Sequence, residues 1–218
     1  MIEAADDGVE GGREQQAEAG HAQHSEQHRR VERLSHLGAG AGRDRERGDA
    51  ENERGEERAR QIGERLQKFS FTRVFTSPLQ RASKTCELAG FGAVAEVDAD
   101  LLEWDYGRWE GTLTSDILKD RPGWELFRNG CPGGESPQDV AARADRFIAR
   151  VQGMAGDVLA FSSGHIIRMI AARWHGMPPA AGRVFFCRPA SVGVLGFEHE
   201  NREQPVIRLW NYVSEPRE

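Results

Sequence analysis

The sequence predicts an α/β domain, in which helices and a mostly parallel sheet form stacked layers, behind a disordered leader. Two observations lead to the layered domain. Short apolar segments with strand character alternate with segments of helical period, and Ser-, Pro- and Gly-rich turn signals separate them. A third observation sets off the leader: all 17 aromatic residues lie after Lys68. Residues 1–50 hold only six strongly apolar side chains, Met1, Ile2, Val9, Val31, Leu34 and Leu37, and these follow neither a helical nor a strand period. Such a stretch buries too little surface to offset its ordering entropy. The expected organisation is therefore a leader over 1–50 and a folded domain over 51–218.

The elements follow in order. Ala59, Ile62, Leu66 and Phe69 recur at three- and four-residue intervals, the stripe of an amphipathic helix over about 53–68. Arg73–Thr76 reads as a short strand. Ser77-Pro78 reads as the cap and first turn of a helix lined by Leu79, Ala82, Cys86 and Leu88 and ending near Ala89. Residues 95–98 form a second strand, and a loop rich in Trp and Gly covers 100–114. Pro132-Gly133-Gly134 marks another loop. Ser136-Pro137 opens a helix carrying Val140, Ala144, Phe147, Ile148 and Val151. Residues 157–161 read as a buried strand, 162–165 as a tight turn and 166–174 as a helix. Strands over 191–198 and 205–210 close the domain, and Phe185, Phe186 and the 191–198 strand are read as core, with an interface as the alternative.

Composition excludes several classes of function. No apolar run approaches the ~18–20 residues of a bilayer span, and residues 1–30 lack the charged and apolar parts of a secretory signal. Cys86, Cys131 and Cys187 have no metal-ligand spacing, which argues against a disulfide scaffold or zinc module and for a reducing cytoplasm. The net charge is −6, and residues 1–60 carry ten Arg, no Lys and fifteen acids. That excess of acids speaks against a nucleic-acid-binding tail.

In a parallel sheet, ligands bind beyond the carboxyl ends of the strands. Two turns qualify. Thr76–Arg81 brings Arg81 to the opening turn of a helix, where amides and a guanidinium can hold one anion. Phe161–His165 places small residues and His165 at another helix start. The segment LLEWDYGRWEG at 101–111 adds carboxylates among aromatics, surroundings that raise a carboxyl pKa. An Arg, a His and a carboxylate on converging loops suit phosphoryl chemistry.

SPLQRA at 77–82, LLEWDYGRWEG at 101–111, FSSGHIIRMIAARW at 161–174 and ENERGEERARQIGERL at 51–66 resemble the phosphoglycerate-mutase-like branch of the histidine phosphatase superfamily. The resemblance runs from about residue 51 to 213. It implies a three-layer phosphoglycerate-mutase-like fold and hydrolysis of a small phosphorylated metabolite through a phosphohistidine, with no metal or other cofactor. It casts Arg81 as the phosphate-binding arginine and Glu103 as the acid that protonates the leaving group. Ser163 stands where the family has its second pocket histidine. Two residues on, His165 corresponds to an additional histidine of some relatives, with a role in the pocket.

The departures are as informative. The family's first strand ends in Arg-His-Gly, whose His is the nucleophile, and that tripeptide occurs nowhere in this chain. The early histidines His21, His24, His28 and His36 follow no apolar strand. The Arg-, Gly- and Glu-rich composition of residues 1–50 suits GC-rich codons read out of frame, a frameshift that would delete the first strand. The expectation is a phosphatase impaired in this chain. The alternatives are a phosphoglycerate mutase using the same half-reaction, a non-catalytic phosphate-ester-binding relic, and an inert product.

Overall fold

A computed structural model describes residues 45–213. The expectations for the leader, including those for His21, His24, His28 and His36, lie outside the described residues, apart from 45–50.

The layers grow from the two-residue period of one strand. β1 (Arg73–Thr76) is the middle of a three-stranded parallel sheet, flanked by β2 (Ala95–Val97) and β3 (Val158–Phe161). Val74 pairs with Ala95 on one side and Leu159 on the other, and Phe75 with Glu96 and Ala160. Successive side chains of a strand point to opposite faces. Val74 therefore joins Cys86, Ala89 and Phe161 on one face, and Phe75 joins Leu101 and Phe147 on the other. The first face is covered by α2 (Gln80–Leu88) and the second by α5 (Pro137–Gln152). This is the predicted three-layer α/β arrangement.

α1 (Arg45–Leu66) begins before the predicted start, and its buried Ala59 and Ile62 keep the predicted period. It reaches α2 through Gly63, where an added Cβ would stand 2.5 Å from the Ala89 carbonyl oxygen. Phe69 lies beyond the helix end and is 63 % exposed, so the predicted stripe stops at Leu66. α5 starts as predicted. Ser136 and Asp139 close a reciprocal capping box, and Pro137 fills the first turn. α2 does not start as predicted. Ser77 and Pro78 precede the helix, Leu79 is its cap without a side-chain bond, and Ser77 Oγ instead accepts the Leu79 amide at 3.3 Å.

Two short helices, α3 (Thr114–Asp120) and α4 (Leu126–Asn129), precede α5. α6 (Gly164–Trp174) follows β3 directly. Ile166 and Met169 of α6, Val140 and Ala144 of α5, and Trp104 and Phe127 form the largest buried cluster. β4 (Val192–Phe197) and β5 (Pro205–Tyr212) pair antiparallel as a separate two-stranded sheet. Two core expectations change as a result. Among the described residues β3 pairs with β1 alone, so Ala160 is exposed and Val158 and Leu159 are half-buried. Phe186 and Val194 are each 40 % exposed, because the described β4–β5 ladder pairs only with itself.

Phe75 is 3 % exposed and meets Phe147 edge-on at 5.8 Å. Phe75→Ala opens a cavity between sheet and α5 and is expected to cost about 3–5 kcal/mol, read as a lower urea midpoint at unchanged slope.

Candidate active site

The start of α6 is where the predicted residues meet. β3 ends at Phe161, and the next turn carries Ser162 and Ser163 into α6. Ser77 donates its amide to the Phe161 carbonyl at 2.9 Å, which locks the β1 and β3 turns side by side. That lock brings Arg81, in the first turn of α2, against the α6 turn. Arg81 Nε donates to Ser163 Oγ at 3.1 Å, and Ser163 is buried.

α6 has no side-chain cap from its own N-cap residue, Ser163. Glu103 supplies one from a distant loop. Its Oε1 accepts the amides of Ile166 and His165, each at 3.1 Å, and its Oε2 lies 3.2 Å from the His165 amide. The carboxylate thus occupies the positive end of a helix, the position an anion takes. Oε1 also accepts the Trp104 amide at 3.0 Å. Oε2 lies 3.9 Å from Arg81 Nη2 and 3.5 Å from His165 Nδ1. Arg81 is two-thirds exposed, so its long contact to Glu103 contributes little.

Burial pushes the Glu103 carboxyl up, as the sequence predicts for a carboxylate among aromatics. The hydrogen bond and charge of His165 and the amides of Trp104 and His165 outweigh it and bring the pKa down to about 2. Glu103 is a carboxylate at neutral pH in this state, the reverse of the expected raised value.

His165 Nδ1 lies 2.9 Å from Tyr106 Oη. Burial first, and the Glu103 charge second, raise the Tyr106 pKa, so its hydroxyl stays protonated. The imidazole also stands edge-on to Tyr106 at 5.9 Å and tilted against Phe127 at 5.8 Å between ring centres.

The loop bearing Glu103 is held by Arg143 of α5. Arg143 donates to the carbonyls of Asp100, Leu102 and Glu103 at 3.0, 2.9 and 3.5 Å, and to both carboxylate oxygens of Glu135 at 2.6 and 2.7 Å. Glu135 Oε2 also accepts the Asp105 amide, and the Glu135 carbonyl accepts Trp104 Nε1. The two loops touch backbone to backbone: an added Cβ on Gly134 would stand 2.2 Å from the Asp105 carbonyl oxygen. Ser162 Oγ donates to the Leu101 carbonyl at 2.6 Å and closes the frame.

All four predicted site residues, Arg81, Glu103, Ser163 and His165, therefore converge. Sequence reading missed Tyr106, Arg143 and Glu135. Tyr106 stood inside a quoted motif, but nothing in its spacing points to His165. Glu135 and Arg143 stand eight residues apart, outside any helical pairing rule. The loop tryptophan Trp104 is 2 % exposed core packed edge-on against Phe127. Of the other histidines in the described residues, His175 Nδ1 lies 2.8 Å from the Ala171 carbonyl and His199 sits exposed beyond β4.

Arg143→Ala strands the Glu135 carboxylate and is expected to cost about 3–5 kcal/mol, measured by denaturant unfolding. Glu103 yields a pH signature. Its folded pKa of about 2 lies below the ordinary 4.5. The stability it confers is therefore full above pH 4.5 and drains away as pH falls through 2. The Glu103→Gln variant is expected to be about 3 kcal/mol less stable at pH 7, with a flatter stability profile through that acid window.

Comparison with known proteins gives this geometry a context. Residues 41–212 match the model of the histidine phosphatase superfamily (branch 1). The chain is 42 % identical over 138 residues to an acid phosphatase of Mycobacterium tuberculosis, covering 62 % of this chain and 68 % of the relative. It is 30 % identical over 208 residues to the sedoheptulose 1,7-bisphosphatase of Saccharomyces cerevisiae, covering 68 % and 76 %. The solved structure of an open reading frame product from Mycobacterium tuberculosis superposes with a TM-score of 0.70 at 34 % identity, over 83 % of this chain and 92 % of that one. The chain belongs to the histidine phosphatase superfamily, branch 1, whose relatives here are phosphatases and mutases.

Proposed function

We propose that this site is built for hydrolysis of a phosphomonoester on a small phosphorylated metabolite, in the cytoplasm, through a phosphohistidine, and that the chain is impaired in it. One observation carries the reading: Arg81, Ser163, Glu103 and His165 converge on the amides that open α6. Arg81 and Ser163 would hold the phosphoryl oxygens, the guanidinium offsetting the charge that spreads over them in transfer. Glu103 would protonate the departing alkoxide. It must first be protonated itself. A dianionic phosphoryl group on the same helix end would displace the carboxylate from its amides and raise its pKa by like-charge repulsion. His165, with Nδ1 facing Tyr106, would present its other face to the phosphoryl group.

The impairment follows from the sequence. Arg-His-Gly is absent, and no His other than His165 stands among the described site residues. The leader is proposed to be out of frame, which DNA of codons 1–55 tests by showing or lacking a displaced Arg-His-Gly. The cytoplasmic placement draws on the three cysteines, all free. Among the described residues no helix is long and apolar enough to cross a membrane.

The test is acid-labile phosphate trapping with a labelled aryl phosphate, alongside equilibrium binding of inorganic phosphate. The expected result is weak or no trapping with measurable phosphate binding, lost in Arg81→Met. Robust trapping that survives His165→Ala would overturn the impairment. Absence of both trapping and binding would overturn the site assignment. Phosphoryl transfer back to a second hydroxyl, rather than to water, would favour the mutase.

A further inference from the structure

β5 is irregular where it meets the end of α1. Val192 pairs with Tyr212 and Val194 with Leu209, so one β4 residue stands between the pairs against two on β5, Trp210 and Asn211. The extra residue makes a bulge. Asn211 takes it up in the left-handed region at φ 55°, which asparagine enters at lower cost than most side chains. Its Oδ1 accepts the Arg188 amide at 2.8 Å and so holds the bulge in place. A regular strand sends alternate side chains to opposite faces. The bulge breaks that alternation, and Leu209, Trp210, Asn211, Tyr212 and Val213 line one cavity of about 550 Å³ together with Arg65 of α1. None of these residues belongs to the site at the start of α6.

The cavity has aromatic walls and one cation. Trp210 Nε1 donates to the Phe186 carbonyl at 2.7 Å, and the indole meets Phe185 edge-on at 5.6 Å. A Cβ on Gly193 would stand 3.1 Å from that indole, so the glycine gives it room to pack. Arg65, in the last turn of α1, lies 5.2 Å over the Tyr212 ring. A guanidinium placed over a ring keeps N–H groups at its rim for an acceptor. Among the described residues no carboxylate or carbonyl takes them. Asn211 has committed its Oδ1 to Arg188, so its side chain offers an NH₂ donor. The lining therefore holds rings and donors but no carboxylate.

We propose that this cavity is a second binding site, separate from the one at α6, for a small aromatic monocarboxylate. Its flat ring packs against Trp210 and Tyr212, and its carboxylate pairs with Arg65. The volume lies within the roughly 300–1,000 Å³ of small-molecule sites. The walls are already held by their own contacts, so little side-chain freedom is lost when the ring arrives. The charge is set by one cation. Arg65 stands where α1 ends, and the carbonyl end of a helix disfavours further negative charge. A monoanion therefore fits better than a phosphate dianion.

The test is calorimetric binding to the full chain at 0.15 M salt, where long-range attraction is screened. The probes are 2-naphthoate, the uncharged 2-naphthalenemethanol, and cyclohexanecarboxylate, which has the charge without the flat ring. 2-Naphthoate is expected to bind about tenfold tighter than either, the effect of one charge-assisted hydrogen bond or one ring contact. Arg65→Met is expected to bring it down to the affinity of the alcohol, and Arg65→Lys to restore part of the gap. Tyr212→Leu is expected to weaken it about fivefold, and Tyr212→Phe, which keeps the ring and guards against a leucine variant that misfolds, to stay within about twofold. Arg81→Met removes the cation of the α6 site and is expected to leave 2-naphthoate affinity within about twofold. No binding of 2-naphthoate, equal affinity for all three probes, or unchanged affinity in folded Arg65→Met overturns the proposal. So does loss of binding in Arg81→Met, which puts the carboxylate at α6 instead.

Discussion

The ion pair between Arg143 and Glu135 is the constraint on which the site depends. The segment from Asp100 to Asp105 has almost no regular structure, so its backbone groups need partners from elsewhere. Arg143 takes three of its carbonyls, and Glu135 takes the Asp105 amide. Both charges are largely withdrawn from water, and each satisfies the other bidentately. The pair joins α5 to two irregular loops and thereby aims Glu103 at α6. An apolar pair of equal volume could fill the space, but it would leave four backbone groups without partners.

Glu103 shows how an anion site behaves when its own chain provides the anion. The amides that open α6 attract negative charge, and Ser163 caps none of them with its side chain. Glu103 fills the gap and is stabilised as a carboxylate by the same amides and by His165. A phosphoryl group would compete for this position. On the proposed function, an external oxyanion would compete with this internal carboxylate, and substrate binding would be coupled to protonation of Glu103. Tyr106 and His165 share that balance, since His165 Nδ1 faces the Tyr106 hydroxyl at 2.9 Å and the carboxylate at 3.5 Å.

Much of this was legible in the chain. The alternation of strand and helix signals predicted the layered sheet, because a strand buried on both faces and an amphipathic helix each carry their own period. Ser136-Pro137 announced the start of α5 through capping chemistry that is local. Arg81, Glu103, Ser163 and His165 were readable from short motifs and do converge. Where the reading failed, the deciding contact was not local. Phe69 kept the helical period but fell beyond the last turn. The 157–161 strand looked buried, yet the described ladder pairs it on one side only.

The chain alone specified the class of fold and the order of the elements, because turns, caps and periodicity act over a few residues, and the resemblance of its motifs picked out the four residues that converge. It also determined that Arg-His-Gly is absent, which no folding can supply. Contacts distant in sequence set the protonation of Glu103. Sequence context predicted desolvation alone, while the opposing amides and imidazole come from a helix about sixty residues away. The same holds for the Arg143–Glu135 frame, whose partners come from α5 and two irregular loops. Electrostatic partners are chosen in space, and spacing along the chain does not encode them.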